Sequence, residues 1–207
     1  MDARAGSNRA VVVSVAQFDP GVSLGDRAGA QKDAKRLHGT LSRRGFEVEL
    51  HSDLSGDEIY ELFAKVFLIQ ACRGDALDDG VEVDSAGDAT DCSFSLHLSV
   101  PVDTAVMYAT PPGYGAFMSP LGSVFLQTFC TLLEDEAHQN LELTRLMTRL
   151  SHRVAYTFQA KGRELGGKKE MPCFLTRLTR EYFLSGREPE LTESTPVITE
   201  YVIKQIM

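Results

Sequence analysis

Two short, largely apolar segments most constrain what this chain can fold into. Residues 10–18 are rich in β-branched and small apolar side chains, and Val66–Ile69 is a second run of the same kind. Such runs are typical of strands that are buried on both faces of a parallel sheet. Parallel strands need a crossover connection, and helical patterns lie between the two runs. The order therefore predicts an α/β fold with a mostly parallel central sheet.

The other elements are predicted from helical and alternating periodicity. Ala34, Leu37 and Leu41 recur at helical spacing, and Gly45 stands where a helix cap needs glycine. Residues 74–103 are acidic and weakly periodic, as long functional or disordered loops are. The predicted elements are strands over 10–18, 46–50, 66–69 and 105–110, helices over 28–41, 57–63, about 121–136 and about 141–159, and a strand-like run over 173–184.

Charge and cysteine usage exclude several functional classes. With 21 basic and 29 acidic residues the net charge is −8, which argues against nucleic acid as a partner. No apolar run approaches the roughly 18 residues of a membrane span, and the run over 11–16 is shorter than a secretory signal requires. We therefore expect a cytoplasmic protein that needs no membrane, metal or cofactor. Its four cysteines, none at Cys-x-x-Cys spacing, are expected to be free thiols: Cys72, Cys92, Cys130 and Cys173.

The motif that carries chemistry is Gln70-Ala71-Cys72-Arg73-Gly74. It places a cysteine at the carboxyl end of a buried parallel strand, where α/β proteins form ligand crevices. The neighbouring Arg73 would favour a thiolate. A thiolate attacks a peptide carbonyl when an imidazole accepts the thiol proton and donates a proton to the leaving group. A buried structural cysteine is the alternative for any single Cys, but the five-residue string itself is a caspase signature.

The resemblance to the caspase family, closest to its executioner type, extends over about residues 10–186. The further stretches that carry it are Arg27-Ala28-Gly29 with Asp33-Ala34, Gly45-Phe46-Glu47-Val48, Phe67-Leu68-Ile69, Val81–Ser85, Tyr108-Ala109-Thr110 with Pro112-Gly113-Tyr114, Gly122-Ser123 with Phe125, Gln127 and Cys130, and Lys168–Cys173. The resemblance divides the chain into a flexible N-terminus (1–9), a large-subunit-like region (10–76), an inter-subunit linker (77–103), a small-subunit-like region (104–186) and a C-terminal tail (187–207).

The resemblance also implies roles for individual residues. Cys72 would be the nucleophile of an Asp-directed cysteine endopeptidase of the apoptosis type. Arg27 and Gln70 match two of the three residues that bind the aspartate side chain of the substrate. Asp84 matches the site at which the zymogen is cleaved during processing. Met118 occupies the third of these binding positions, where an arginine is expected. A thioether cannot form the paired, charge-assisted hydrogen bonds that a guanidinium makes to a carboxylate.

The catalytic histidine of the family is missing. Phe63 ends one helix and Lys65 already begins the nucleophile strand, so a central strand, the Ser-His-Gly turn and a helix are omitted between them. The backbone N–H of this turn, which in the family donates one hydrogen bond in the oxyanion hole, is missing as well. Of the two histidines before Cys72, His38 lies within the first helix and His51 follows the second strand, and neither is in a catalytic setting. His97, His138 and His152 match nothing catalytic either.

The fold expected from the resemblance is therefore a three-layer caspase-like α/β fold, truncated by one central strand and a helix. Either the first strand and the nucleophile strand pair directly, or the sheet has a gap with unpaired backbone groups.

We favour a pseudo-caspase that associates with other caspase chains, as a homo- or heterodimer through the final strand at Cys173–Phe183. Two alternatives stay open: an active Asp-specific protease with a rearranged or borrowed base, and a non-functional splice product.

Overall fold

A six-stranded sheet with helices packed on one face forms the centre of the computed structural model. The structure describes residues 9–15, 28–54, 66–74, 76–78, 101–138, 140–184 and 200–205. The strands are β1 (Arg9–Ser14), β2 (Glu47–Ser52), β3 (Val66–Gln70), β4 (Ala105–Tyr108), β5 (Met118–Ser119), β6 (Gly122–Ser123), β7 (Cys173–Thr176) and β8 (Glu200–Gln205). The helices are α1 (Ala28–Arg43), α2 (Val124–Glu134) and α3 (Leu143–Thr157), with one 3-10 turn at Glu136–His138.

The strand order of the main sheet is β2-β1-β8-β3-β4-β7. All neighbouring pairs are parallel except β4 and β7, which are antiparallel, so β7 forms an antiparallel edge. The α/β class and the mostly parallel sheet are confirmed. The predicted strand at 66–69 is confirmed as β3, with Gln70 as its last residue.

The interior position between β1 and β3 is occupied by β8, which neither expectation for the truncated sheet foresaw. Arg9 to Ser14 pair with Glu200 to Gln205 on one side, and Val66 to Gln70 pair with Tyr201 to Gln205 on the other. Residues 200–205, expected within the tail, thus satisfy backbone groups of two buried strands that would otherwise lack partners. The chain fills the place of the omitted strand with its own C-terminal segment.

The main core lies between the sheet and the three helices. Alternate residues of β1, β3 and β4 point to this side, among them Val12, Leu68 and Met107. Leu37 and Leu41 of α1 meet them, as the helical periodicity predicts. The helix ends at a turn in which Gly45 has φ +83°, a left-handed conformation that favours glycine. A smaller apolar cluster on the opposite face is formed by Val11, Val13, Leu54 and Phe67.

Polar side chains join α1 to the start and the end of α2. The fully buried carboxylate of Asp33 accepts hydrogen bonds from the Ser123 backbone N–H at 2.9 Å and from Gln127 Nε2 at 2.6 Å. At the other end, Arg36 donates to Glu134 at 2.7 Å, and the same contact raises the pKa of Arg36 and lowers that of Glu134. The Asp33 bonds fix the β5–β6 hairpin, which precedes α2, against α1, and the Arg36 bond fixes the end of α2.

Several predicted boundaries differ from the structure. The helix expected from about residue 121 begins at Val124, because the β5–β6 hairpin takes up the preceding residues. The strand-like run over 173–184 is a strand only to Thr176. The predicted helix over 57–63 and most of the linker lie outside the described residues. In the part of the chain that is described, no helix has the length and apolar character to cross a bilayer.

Candidate functional site

Cys72 lies at the carboxyl end of β3, two residues beyond Gln70, and its side chain is exposed. Its Sγ accepts a hydrogen bond from the Ala116 backbone N–H at 3.3 Å and is 3.6 Å from the Ala116 carbonyl oxygen. An exposed thiol at the end of a buried strand can be reached by a substrate or an alkylating reagent. The role of Cys72 as a nucleophile stays a prediction.

A short backbone ladder holds the loop around Cys72. The Arg73 N–H donates to Tyr114 O and the Gly113 N–H donates to Arg73 O, both at 2.9 Å. Gly74 lies so close to this turn that a Cβ on it would be 2.3 Å from Gly113 O. Only glycine permits that approach, which gives a physical reason for the last residue of the Gln70–Gly74 motif.

The guanidinium of Arg73 contacts Tyr108 and Cys173. It lies 3.9 Å from the Tyr108 ring centroid and, through Nη1, 3.9 Å from Cys173 Sγ. Burial raises the pKa of the Cys173 thiol, and Arg73 opposes that rise. The charge of Arg73 therefore acts on the Cys173 thiol.

The structure describes only some of the residues that are predicted to bind the aspartate side chain of a substrate. Gln70 is buried, and its Oε1 is closed to solvent and has no hydrogen-bond partner within the described ranges. Met118 lies against the first turn of α1: a Cβ on Gly29 would be 2.8 Å from its Cγ. Arg27 and the processing site Asp84 lie outside the described residues.

The histidines of the described segments do not approach Cys72. His51 is in β2, three strands from β3, which at about 4.8 Å per strand places the two strand ends roughly 14 Å apart. Its Nε2 is 3.6 Å from Glu49 Oε2. His138 is buried, with Nδ1 3.0 Å from Asp135, and His152 stacks on Tyr156. His38 is exposed on α1, and His97 lies outside the described residues.

Glu170 is a residue of this site that sequence reasoning missed. Its side chain is 1% exposed, its Oε2 accepts a 2.6 Å hydrogen bond from the Phe117 N–H, and its Oε1 has no partner among the described atoms. Burial raises its pKa to about 8. Phe117 follows Ala116, so the buried carboxyl holds the same loop that contacts the Cys72 thiol. Its place between a Lys pair and Met-Pro gave no signal of burial.

The caspase-domain family matches this chain over residues 7–65 and 61–183. The two matched segments meet at residues 61–65, where the sequence predicts the omitted block. Cattle (Bos taurus) caspase-3 is 26% identical over 230 residues, covering 84% of this chain and 82% of that protein. Since the whole chain has 207 residues, that relative carries residues without a counterpart here.

Two further comparisons agree. Chicken (Gallus gallus) caspase-7 is 26% identical over 236 residues, covering 84% of this chain and 76% of that protein. The crystal structure of caspase-1 from Spodoptera frugiperda superposes with a TM-score of 0.70 at 20% identity, covering 87% of this chain and 93% of the other. Similarity of fold thus accompanies similarity of sequence over most of the molecule.

Proposed function

The chain belongs to the caspase family, and from this premise we propose that it is a catalytically impaired member that acts by association with other caspase chains. The proposal includes the apoptotic setting and the cytoplasmic location expected from the resemblance. It also includes the zymogen-type linker with Asp84 as its processing site.

The observation that carries the proposal is a nucleophile position without a base among the described residues. A cysteine peptidase needs an imidazole within hydrogen-bond reach, about 2.6–3.2 Å, of the thiol or of the leaving group. The Cys72 thiol instead contacts the backbone of Ala116. His51, the histidine that a rearranged site would have to recruit, is about three strand spacings away, roughly 14 Å.

The pocket that is expected to bind the aspartate side chain of a substrate supports the same conclusion. We propose that Gln70, whose buried Oε1 has no partner among the described residues, and Arg27 keep their family roles, and that Met118 leaves the third position without a cation. A hydrogen bond to a charged group contributes about 1.5–3 kcal/mol, so the loss weakens selection for aspartate by at least about tenfold. The pocket would still accept an acidic residue, but with little affinity.

Association is supported by the edge of the sheet. The last strand of the sheet, β7, pairs with β4 on one side and ends the strand order on the other. Phe174 and Leu175 on it are 37% and 38% exposed. An antiparallel edge strand with exposed apolar side chains pairs readily with a like strand of another chain. We propose β7 as the contact through which a second caspase chain is bound.

Catalytic impairment is tested by incubating the purified chain with Asp-containing peptides, beside its Cys72→Ala variant. We expect no cleavage by either protein. Cleavage that is lost in Cys72→Ala would instead support an active protease with a rearranged base. A complete caspase serves as the positive control for the peptides.

Association is tested by mixing the chain with a complete executioner-type caspase and measuring mixed dimers by native mass spectrometry. Leu175→Asp, which places a charge on the β7 edge, should abolish them. Tyr156→Asp is the matched control, because Tyr156 is exposed on α3 and lies outside the sheet. Monomers of all three proteins at high concentration would refute the proposal, as would equal loss in both variants.

A further inference from the structure

One peptide unit, the one that joins Ala116 to Phe117, lies between the Cys72 thiol and the buried Glu170 carboxyl. The thiol donates to the carbonyl oxygen of this unit at 3.6 Å, and the N–H of the same unit donates to Glu170 Oε2 at 2.6 Å. In a trans peptide the carbonyl and the N–H point in opposite directions, and the described part of the chain has no cis peptide bond. The thiol and the carboxyl therefore contact opposite ends of one amide dipole.

The two contacts of the sulfur favour different protonation states. A thiol donates to the Ala116 oxygen, whereas a thiolate can only accept, and the Ala116 nitrogen is 3.3 Å from Sγ. A hydrogen bond to one protonation state favours that state, so a stronger carbonyl acceptor favours the thiol. Glu170 strengthens this carbonyl, because hydrogen bonds that are linked through an amide polarise one another.

An ionised Glu170 adds a direct electrostatic effect of the same sign. The path through the peptide unit limits the distance from Glu170 Oε2 to Cys72 Sγ to at most about 8.5 Å. At that distance a negative charge shifts the ionisation of a second acid by roughly 0.4 pH unit in a fully aqueous dielectric, and by roughly 1.4 units at the effective dielectric of a protein. Cys72 is exposed and Glu170 is buried, so the expected shift lies between these limits.

Other titratable side chains lie on the segments around this pair. Those on the loop 113–119 and on the end of α3, which contacts the Glu170 loop through Ser151, are Tyr114, His152, Arg153 and Tyr156. Those on the segments next to Cys72 and Glu170 are Arg73, Asp78, Tyr108, Lys168, Lys169 and Cys173. Among the described residues, burial and the Phe117 N–H set the pKa of Glu170, without a contribution from a charged side chain. A Glu170→Gln substitution leaves all these groups in place, so it isolates the effect of Glu170.

We propose that Glu170 is a positioning residue for Cys72, which acts through the Ala116–Phe117 peptide unit and keeps the sulfur protonated as the solution becomes alkaline. The thiolate is the nucleophile, so this contact protects an exposed cysteine from electrophiles. The inference goes beyond the proposed function, because it concerns the ionisation of the thiol whether or not the chain cleaves peptides or binds another chain.

The test is alkylation of the full chain and of its Glu170→Gln variant by iodoacetamide, from about pH 6 to about pH 10 at low salt. The thiolate displaces iodide: an S–C bond forms, the C–I bond breaks, and the thiol proton goes to solvent. Peptide mass spectrometry measures the label on Cys72 separately from the other cysteines. We expect the half-maximal rate of Glu170→Gln at a pH lower by at least about 0.4 unit, with an unchanged limiting rate.

Glu142→Gln is the matched control. Glu142 is also buried, but its carboxylate accepts the Thr144 N–H at 2.8 Å in the first turn of α3 rather than a bond from the loop beside Cys72. Its labelling profile should equal that of the wild type. Loss of loop packing alone would change the limiting rate instead of the half-maximal pH, so the two roles are distinguished.

Equal half-maximal pH values of the wild type and Glu170→Gln overturn the proposal, as does an equal shift in Glu142→Gln. Circular dichroism establishes that each variant is folded. The wild-type profile decides the matter if Glu170→Gln does not fold. Two coupled groups titrate over a wider range than the roughly two pH units of a single group, and a profile that fits one group overturns the proposal.

Discussion

Replacement of Glu170 by glutamine tests the electrostatics beneath the Cys72 loop. The carboxyl is 1% exposed, and its pKa is raised from 4.5 to about 8, chiefly by burial. The Phe117 N–H hydrogen bond opposes that rise without cancelling it. Glutamine has the shape of the protonated acid and can still accept this hydrogen bond, but it cannot ionise. The substitution thus removes the titration and leaves the packing.

The expected magnitude follows from proton linkage. Because the pKa is higher in the folded protein than in the unfolded chain, folding takes up a proton between the two pKa values. The stability contributed by the neutral form is fully present below pH 4.5 and is lost as the pH rises towards 8. Each pH unit costs about 1.4 kcal/mol, so the loss is about 3 kcal/mol at neutral pH and roughly 5 kcal/mol above pH 8. A loss of that size is a large part of the stability of a typical domain.

Urea unfolding of the wild type and Glu170→Gln, followed by circular dichroism from about pH 5 to about pH 9, measures this difference. We expect nearly equal stability at the acid end and a variant more stable by roughly 5 kcal/mol at the alkaline end. Glu134→Gln is the control: Arg36 lowers the pKa of Glu134, so its effect should be destabilising and constant above about pH 6. A difference between the wild type and Glu170→Gln that does not change with pH would refute the reasoning.

Three other predictions concern β8, Ser14 and the cysteines. Deleting residues 200–207 should abolish the cooperative thermal transition, since β1 and β3 lose their shared partner; an unchanged melting curve would contradict that pairing. Ser14→Ala should raise the free energy of unfolding in urea by about 1 kcal/mol, because it removes a buried unpaired hydroxyl, and a lower free energy would contradict this. In a thiol-labelling time course near pH 8, Cys72 should react before Cys173, and Cys130, which is buried with a pKa of about 12, should react only on unfolding. Early labelling of Cys130 would be the contrary result.

The fold class was predictable because the strongest signals are local. The β-branched run of β1, the short apolar β3 and the periodicity of α1 each specify one element, and their order specifies a parallel sheet. The place of Cys72 was predictable for the same reason: a short motif follows a strand whose end must lie at the edge of the sheet.

Features set by distant parts of the chain were not predictable. Val202 and Ile203 form an apolar segment, but nothing in it specifies that it lies between β1 and β3. The burial of Glu170 depends on a loop some fifty residues earlier, and the direction of Arg73 depends on Tyr108 and Cys173. Single-sequence patterns carry period and turn chemistry, whereas these contacts arise only once the sheet has been assembled.

The position of β8 has a consequence for how the protein is made. Arg9, near the beginning of the chain, pairs with Glu200, so β1 emerges from the ribosome long before its neighbour exists. Until then β1 and β3 each have an unpaired inner edge, which is the kind of surface on which nascent chains aggregate. Contacts of such large sequence separation also slow folding. We therefore expect a high demand for chaperones during synthesis, and a yield that depends more on translation speed than on the stability of the finished sheet.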